Sequence, residues 1–138
     1  MKWNPKAEDT RMDLKIRALE GLYGICRLDP TVPVPPWAPG GEFVSVTRTS
    51  EELSVVCPQR SIPESARFNP DWRVLKVEGP LDFSLVGILS TLSSTLAQAK
   101  ISLFAVSTFD TDYILVHEAD FRSAVRALRD AGHQVAGD

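Results

Sequence analysis

Two short stretches of this 138-residue chain carry groups of opposite polarity. The first, Phe83-Ser84-Leu85-Val86-Gly87, opens an apolar-periodic run that ends at Lys100. If that run is a helix, the unpaired N–H groups of its first turn carry the positive end of the helix dipole and can take a carboxylate. The second, Asp110-Thr111-Asp112, sits in a polar connection between two apolar stretches, and a carboxylate there can receive an ammonium. Each stretch also has an ordinary structural explanation. Aspartate is common in tight turns because its side chain bonds nearby backbone N–H groups, which accounts for one of the two acids without any ligand. A glycine inside a helical run costs about 1 kcal/mol relative to alanine. At Gly87 the missing side chain serves close packing as well as it serves the approach of a ligand.

The other reactive residue types do not form a catalytic pattern. His117 ends a strand-like run and His133 follows a helix end; neither has a Ser, Cys or acidic neighbour at relay spacing, and both read as surface or strand-end residues. There is no Gly-Lys-Ser/Thr phosphate loop and no Gly-x-Gly-x-x-Gly after a strand. Cys26 and Cys57 lie in apolar, strand-like surroundings and read as buried reduced thiols, not as a disulfide or half of a metal site. No catalysis, metal or cofactor is therefore expected. The net charge of −3 and the absence of a Lys/Arg stripe argue against nucleic acid or an anionic membrane as partner. No apolar run reaches the roughly 18 residues of a membrane span, and the N-terminus lacks an apolar signal core, so a cytoplasmic location is the expectation.

The elements that must position these residues follow from periodicity. Residues 1–13 form a polar leader without period. Residues 14–28 alternate as two short strands about a bend at Gly21. Residues 29–41 hold five of the ten prolines, which predicts a rigid connector with Trp37 pinned to its own domain. Phe43–Arg48 and Leu53–Pro58 predict an antiparallel hairpin, Pro63–Phe68 a short helix, and Asn69-Pro70-Asp71 a turn that closes it. From Trp72 the pattern is strand, helix (Leu85–Lys100, capped by Asp82 or Ser84), two strands joined by a tight turn, a helix bearing Phe121, Ala124, Val125 and Leu128, a left-handed cap at Gly132, and a last short strand. That is a βαββαβ unit. The expected organisation is α+β, with a unit at 14–71 that lacks its long first helix and a fuller unit at 72–138.

The run Ile101-Ser-Leu-Phe-Ala-Val-Ser-Thr-Phe-Asp-Thr-Asp-Tyr-Ile-Leu-Val, preceded by Glu78-Gly-Pro and Gly87-Ile-Leu, resembles the ACT domain. More specifically it resembles the tandem-ACT family, which includes small bacterial proteins of unassigned function and the animal cytosolic arginine sensors. The resemblance is closest over residues 72–135 and reaches back to about Leu14 through Phe43-Val-Ser-Val-Thr-Arg-Thr-Ser-Glu-Glu. It implies two ferredoxin-like units that pair side by side and hold a small ligand, usually an amino acid, at the interface between units. The sensors have four such units in one chain, so a two-unit chain implies a homodimer. By the same resemblance Ser102 and Leu103 match strand positions that touch ligand from a neighbouring unit, and Gly87, Thr108, Phe109 and Asp112 match positions around the pocket. The acidic residue that the sensors place two positions before the helix glycine is Leu85 here, so no partner for a guanidinium is carried over. The resulting candidate site comprises Phe83, Ser84, Gly87, Ser102, Leu103, Thr108, Phe109, Asp110 and Asp112. The implied function is a small-molecule-binding regulator that passes its occupancy to an unidentified protein partner. The alternative is a ligand-free dimerisation or interaction module.

Overall fold

The computed structural model describes residues 13–79 and 87–137. The alternating stretch 14–28 forms β1 (Lys15–Ala18) and β2 (Tyr23–Leu28). The hairpin is β3 (Ser45–Arg48) and β4 (Leu53–Pro58), and β5 is the ten-residue strand Phe68–Val77. The described residues fall into two compact units, Leu19–Val74 and the segments on either side of it.

In the Leu19–Val74 unit the order is β3-β4-β2-β5, with every pairing antiparallel. This is the strand order of a ferredoxin-like unit. The position of its first helix is taken by the proline-rich connector. Val32, Trp37 and Ala38 of that connector pack with Cys26, Leu53, Val55 and Cys57, so it covers one face of the sheet as a helix would. Both cysteines are free and buried, and they share a hydrogen bond that, with burial, pushes the Cys26 thiol up from its ordinary value. The expected helix at Pro63–Phe68 does not form. A 3-10 turn at Gln59–Ser61 and a single turn closed by Ala66 N–H to Pro63 C=O replace it, and Phe68 already belongs to β5.

The expected turn at Asn69–Asp71 is likewise a bulge inside β5. Ile25 pairs with Asn69 while Tyr23 pairs with Trp72, so β5 carries one residue more than β2 over this interval. Asp71 takes φ 67°, and the Gln59 carboxamide holds it there: Asp71 N–H donates to Gln59 Oε1 at 2.6 Å and Gln59 Nε2 donates to Asp71 Oδ1 at 3.0 Å. A side chain twelve residues earlier in the chain thus satisfies the backbone that proline and aspartate would otherwise break.

The second unit contains α1 (Ile88–Gln98), β6 (Phe104–Ser107), β7 (Asp112–His117), α2 (Phe121–Asp130) and β8 (Gln134–Ala136). β6 and β7 pair antiparallel, and β7 also pairs with β5. β1 does not join the unit that follows it in sequence. It lies antiparallel to β5 (Ile16↔Val77) and parallel to β8 (Ile16↔Val135), giving the order β6-β7-β5-β1-β8. This is a βαββαβ sheet with one strand inserted between its first and last members. Ile88, Leu92 and Leu96 of α1 and Phe121, Ala124, Val125 and Leu128 of α2 bury one stripe each against Ile16, Leu75, Val77, Ile114, Val116 and Val135. Among the described residues no helix is long and apolar enough to cross a membrane.

Both helices end in the same motif. At α2, Gly132 at φ 102° donates to Arg129 C=O at 3.0 Å and His133 N–H donates to Leu128 C=O at 3.1 Å, a Schellman closure with glycine at the left-handed position. At α1, Lys100 N–H donates to Ala97 C=O and Ile101 N–H to Leu96 C=O, both at 2.9 Å, but the left-handed residue is Lys100 at φ 62°. The buried contact of Ile101 with the α1 core residues accompanies it. A side chain at this conformation costs about 1 kcal/mol that glycine avoids. Lys100→Gly is therefore expected to stabilise the protein by roughly 0.5–1 kcal/mol, read as a rise of a few degrees in the melting midpoint.

His133 follows the second cap and is buried, not at the surface as its sequence position suggests. Its Nδ1 accepts the Leu14 N–H at 3.1 Å, which puts the proton on Nε2, and Nε2 has no hydrogen-bond partner among the described residues. Desolvation pushes its pKa below 6.5, opposed by the attraction of Asp13. The unfolded chain thus binds a proton that the folded chain refuses. The stabilisation is complete above about pH 6.5 and is lost as pH falls from there through the lowered folded value. Thermal unfolding between pH 8 and pH 5 is expected to show this loss in the wild type. The loss should shrink in His133→Asn, whose side-chain oxygen can still accept the Leu14 N–H.

Candidate ligand site

The β6–β7 connection is built by two threonines. Thr108 N–H donates to Thr111 C=O at 2.8 Å, Thr108 Oγ1 donates to the same carbonyl at 3.0 Å, and Thr111 N–H approaches Thr108 Oγ1 at 3.3 Å. Phe109 and Asp110 form the tip, with Phe109 79% exposed, and Asp112 is the first residue of β7, paired with Ser107. The turn is anchored by a residue that the periodicity does not single out. Thr111 is 5% exposed, and its hydroxyl donates to the Val77 carbonyl at 2.5 Å. A threonine between two aspartates reads as another polar turn residue, and only its burial and its bond to the end of β5 set it apart.

Gly87 is the N-cap of α1, not a residue of its interior. Its carbonyl accepts the Thr91 N–H at 2.8 Å, and no side chain among the described residues caps the helix. Its φ is 85°, and among the described residues a Cβ added there would meet nothing within 4 Å. The left-handed backbone is by itself a reason for glycine here. Substitution at Gly87 therefore strains the helix start whether or not a ligand binds. Phe83 and Ser84, with the expected caps Asp82 and Ser84, lie outside the described residues.

The remaining candidates do not join this end of the unit. Ser102 and Leu103 precede β6 and are not strand residues, because the left-handed Lys100 turns the chain before the ladder begins at Phe104. Ser102 is exposed, and Leu103 packs partly against the core. The eleven residues of α1 rise about 16 Å between Gly87 and the segment holding Ser102. Thr108, Phe109, Asp110 and Asp112 come together at the turn, and within one unit Ser102 and Leu103 stand at the opposite end. Among the described residues no group of three or more His, Cys, Asp or Glu side chains could hold a metal ion.

Comparison with known proteins agrees with the fold. A family model described as ACT domain matches residues 67–130, and a second, describing an N-terminal domain, matches residues 21–65. A crystal structure of an Agobacterium tumefaciens protein is similar over 92% of this chain and 96% of that one, at 41% identity and a TM-score of 0.86. A Vibrio cholerae protein of unknown function shares the fold over 87% of this chain and 91% of its own, at 17% identity and a TM-score of 0.68. Clostridium acetobutylicum aspartate kinase, an allosteric enzyme, shares it over 84% of this chain and 34% of its own, at 14% identity and a TM-score of 0.61. The cytosolic arginine sensor for mTORC1 subunit 1 of Homo sapiens is 37% identical over 59 residues, which are 42% of this chain and 18% of that protein. The chain thus matches under a fifth of that curated relative's length. Fold and likeness define a ferredoxin-like domain, and over residues 67–130 that domain is an ACT domain.

If Thr111 is what fixes the turn, Thr111→Val keeps shape and volume but removes the donor to a buried carbonyl. A loss of about 1–3 kcal/mol is expected, together with faster amide exchange across Thr108–Asp112. Unchanged stability and exchange would show that the turn holds itself.

Proposed function

We propose that the chain is a non-catalytic regulatory protein whose ligand is an amino acid held between units of two copies. The observation that carries this reading is the pairing of polarities at one end of the second unit. The turn rigidified by Thr108 and Thr111 offers the carboxylates of Asp110 and Asp112, and α1 begins at Gly87 with no side-chain cap among the described residues. A carboxylate at the helix start and an ammonium at the aspartates suit a zwitterion. Since Ser102 and Leu103 stand at the other end of the same unit, their part in the site is supplied by a second copy, and a homodimer follows from the reading. The family supports it: aspartate kinase is allosteric and the curated relatives are arginine sensors. Arginine itself is not singled out, because Leu85 stands where a guanidinium partner would be needed.

A thermal-shift panel of the common amino acids tests this directly. A ligand at a hundredfold excess over its Kd stabilises the native state by about 2.7 kcal/mol, which for a chain of this size raises the midpoint by roughly 5–10 °C. Asp112→Asn is expected to leave the free protein's midpoint nearly unchanged and to reduce the ligand-induced shift. A dimer by light scattering with no shift from any amino acid would favour the second reading, an interaction module. The 79% exposure of Phe109 at the turn tip is the observation in favour of that reading, since an exposed aromatic suits a protein contact.

A further inference from the structure

The Leu19–Val74 unit carries a cationic groove that the family reading does not use. It has a volume of about 490 Å³ and is lined by Ile25, Arg27, Arg67, Phe68, Asn69 and Pro70. Arg27 on β2 and Arg67, just before β5, are placed side by side by the backbone, since Arg27 N–H donates to Arg67 C=O at 3.0 Å. Like charges opposed across strands are destabilising unless something neutralises them. The chain is acidic overall, with net charge −3, yet among the described residues no carboxylate lines this groove.

The donors there are only partly used. Arg27 Nη2 donates to the Glu51 backbone carbonyl at 3.0 Å, which fixes the direction of its guanidinium. The Arg67 guanidinium has no partner among the described residues. Asp29, the acid nearest to Arg27 in sequence, is engaged elsewhere: its carboxylate takes the Thr31 N–H at 2.9 Å and the Thr31 hydroxyl at 2.6 Å. Those two bonds, more than Arg27, hold its pKa below the usual carboxylate range. The Asn69 oxygen accepts Trp72 Nε1–H at 3.3 Å, which leaves the amide NH2 to donate. Ile25, Phe68 and Pro70 provide the apolar wall.

Two guanidiniums and an amide, with no acidic group, match an anion and reject the ammonium of a free amino acid. We propose that this groove binds a small organic dianion, either a phosphate monoester or a dicarboxylate, with the two arginines on the charged group and Phe68 and Pro70 against the carbon skeleton.

The test uses the full-length protein at low salt, titrated calorimetrically with inorganic phosphate, glucose 6-phosphate and succinate, and followed by amide NMR. Saturable binding is expected from at least one organic dianion, with shifts centred on the amides of Ile25, Arg27, Phe68 and Asn69. Arg67→Gln should weaken that binding by about tenfold or more without altering the melting midpoint or the amino-acid response. Arg67→Lys, which keeps charge but loses the planar fork, should fall between. Glucose 6-phosphate alone identifies the phosphate source, succinate alone the dicarboxylate, and both the shared charge. No binding by any of the three overturns the proposal, as does binding that survives Arg67→Gln or shifts confined to residues elsewhere. Should Arg67→Gln fail to fold, the wild-type shift map decides between these outcomes.

Discussion

The backbone of β5 is the constraint on which the rest depends. Its early residues pair with β2, its last three pair with β1, and β7 lies along it as well. Val74, Leu75 and Val77 are at most 1% exposed, so their polar groups must be met by protein. They are met: the Val74 carbonyl takes the Leu19 N–H at 2.9 Å, and the Val77 carbonyl takes the Thr111 hydroxyl. The bulge at Asp71 lets one strand change register along its length while the Gln59 carboxamide covers the break. The placement of the candidate turn thus traces back, through one hydroxyl, to a carbonyl at the end of this strand.

Much of the fold was legible because hydrophobic period survives tertiary folding. The stripes of α1 and α2, the β3–β4 hairpin and the glycine cap at Gly132 all follow from local pattern. What could not be read were features set by distant partners. Asn69-Pro70-Asp71 has the composition of a turn, and only Gln59 makes it a strand bulge. Pro63–Phe68 looks helical by composition, but Phe68 gains more by pairing with Cys26 in the ladder and packing beneath the proline connector. Lys100 adopts the left-handed cap with no glycine to announce it, because the Ile101–Leu96 burial outweighs the strain.

The candidate site was legible in part. Thr108, Phe109, Asp110 and Asp112 do meet in one turn, since residues adjacent in sequence at a hairpin tip can hardly avoid it. Thr111 was missed, because burial of a polar turn residue has no local signature. Gly87 was noticed for the wrong reason: sequence placed it inside a helix, whereas its backbone angle sets it at the boundary. The carbon-lined, arginine-bearing groove of the other unit was invisible, because Arg27 and Arg67 are forty positions apart and are joined only through strand pairing.

The insertion of β1 between β5 and β8 has a consequence for how the chain comes to be folded on the ribosome. Leu14 N–H meets His133 across 119 positions of sequence, so β1 finds its parallel neighbour only when the residues between them have emerged. Such distant pairing carries a large loop-closure cost and slows folding. While the nascent chain lengthens, the Leu19–Val74 segment already holds most of its own partners, whereas β1 waits with an open backbone edge. An excised piece that starts at Trp72 would be left with the same gap, since the strand that fills it precedes the Leu19–Val74 segment.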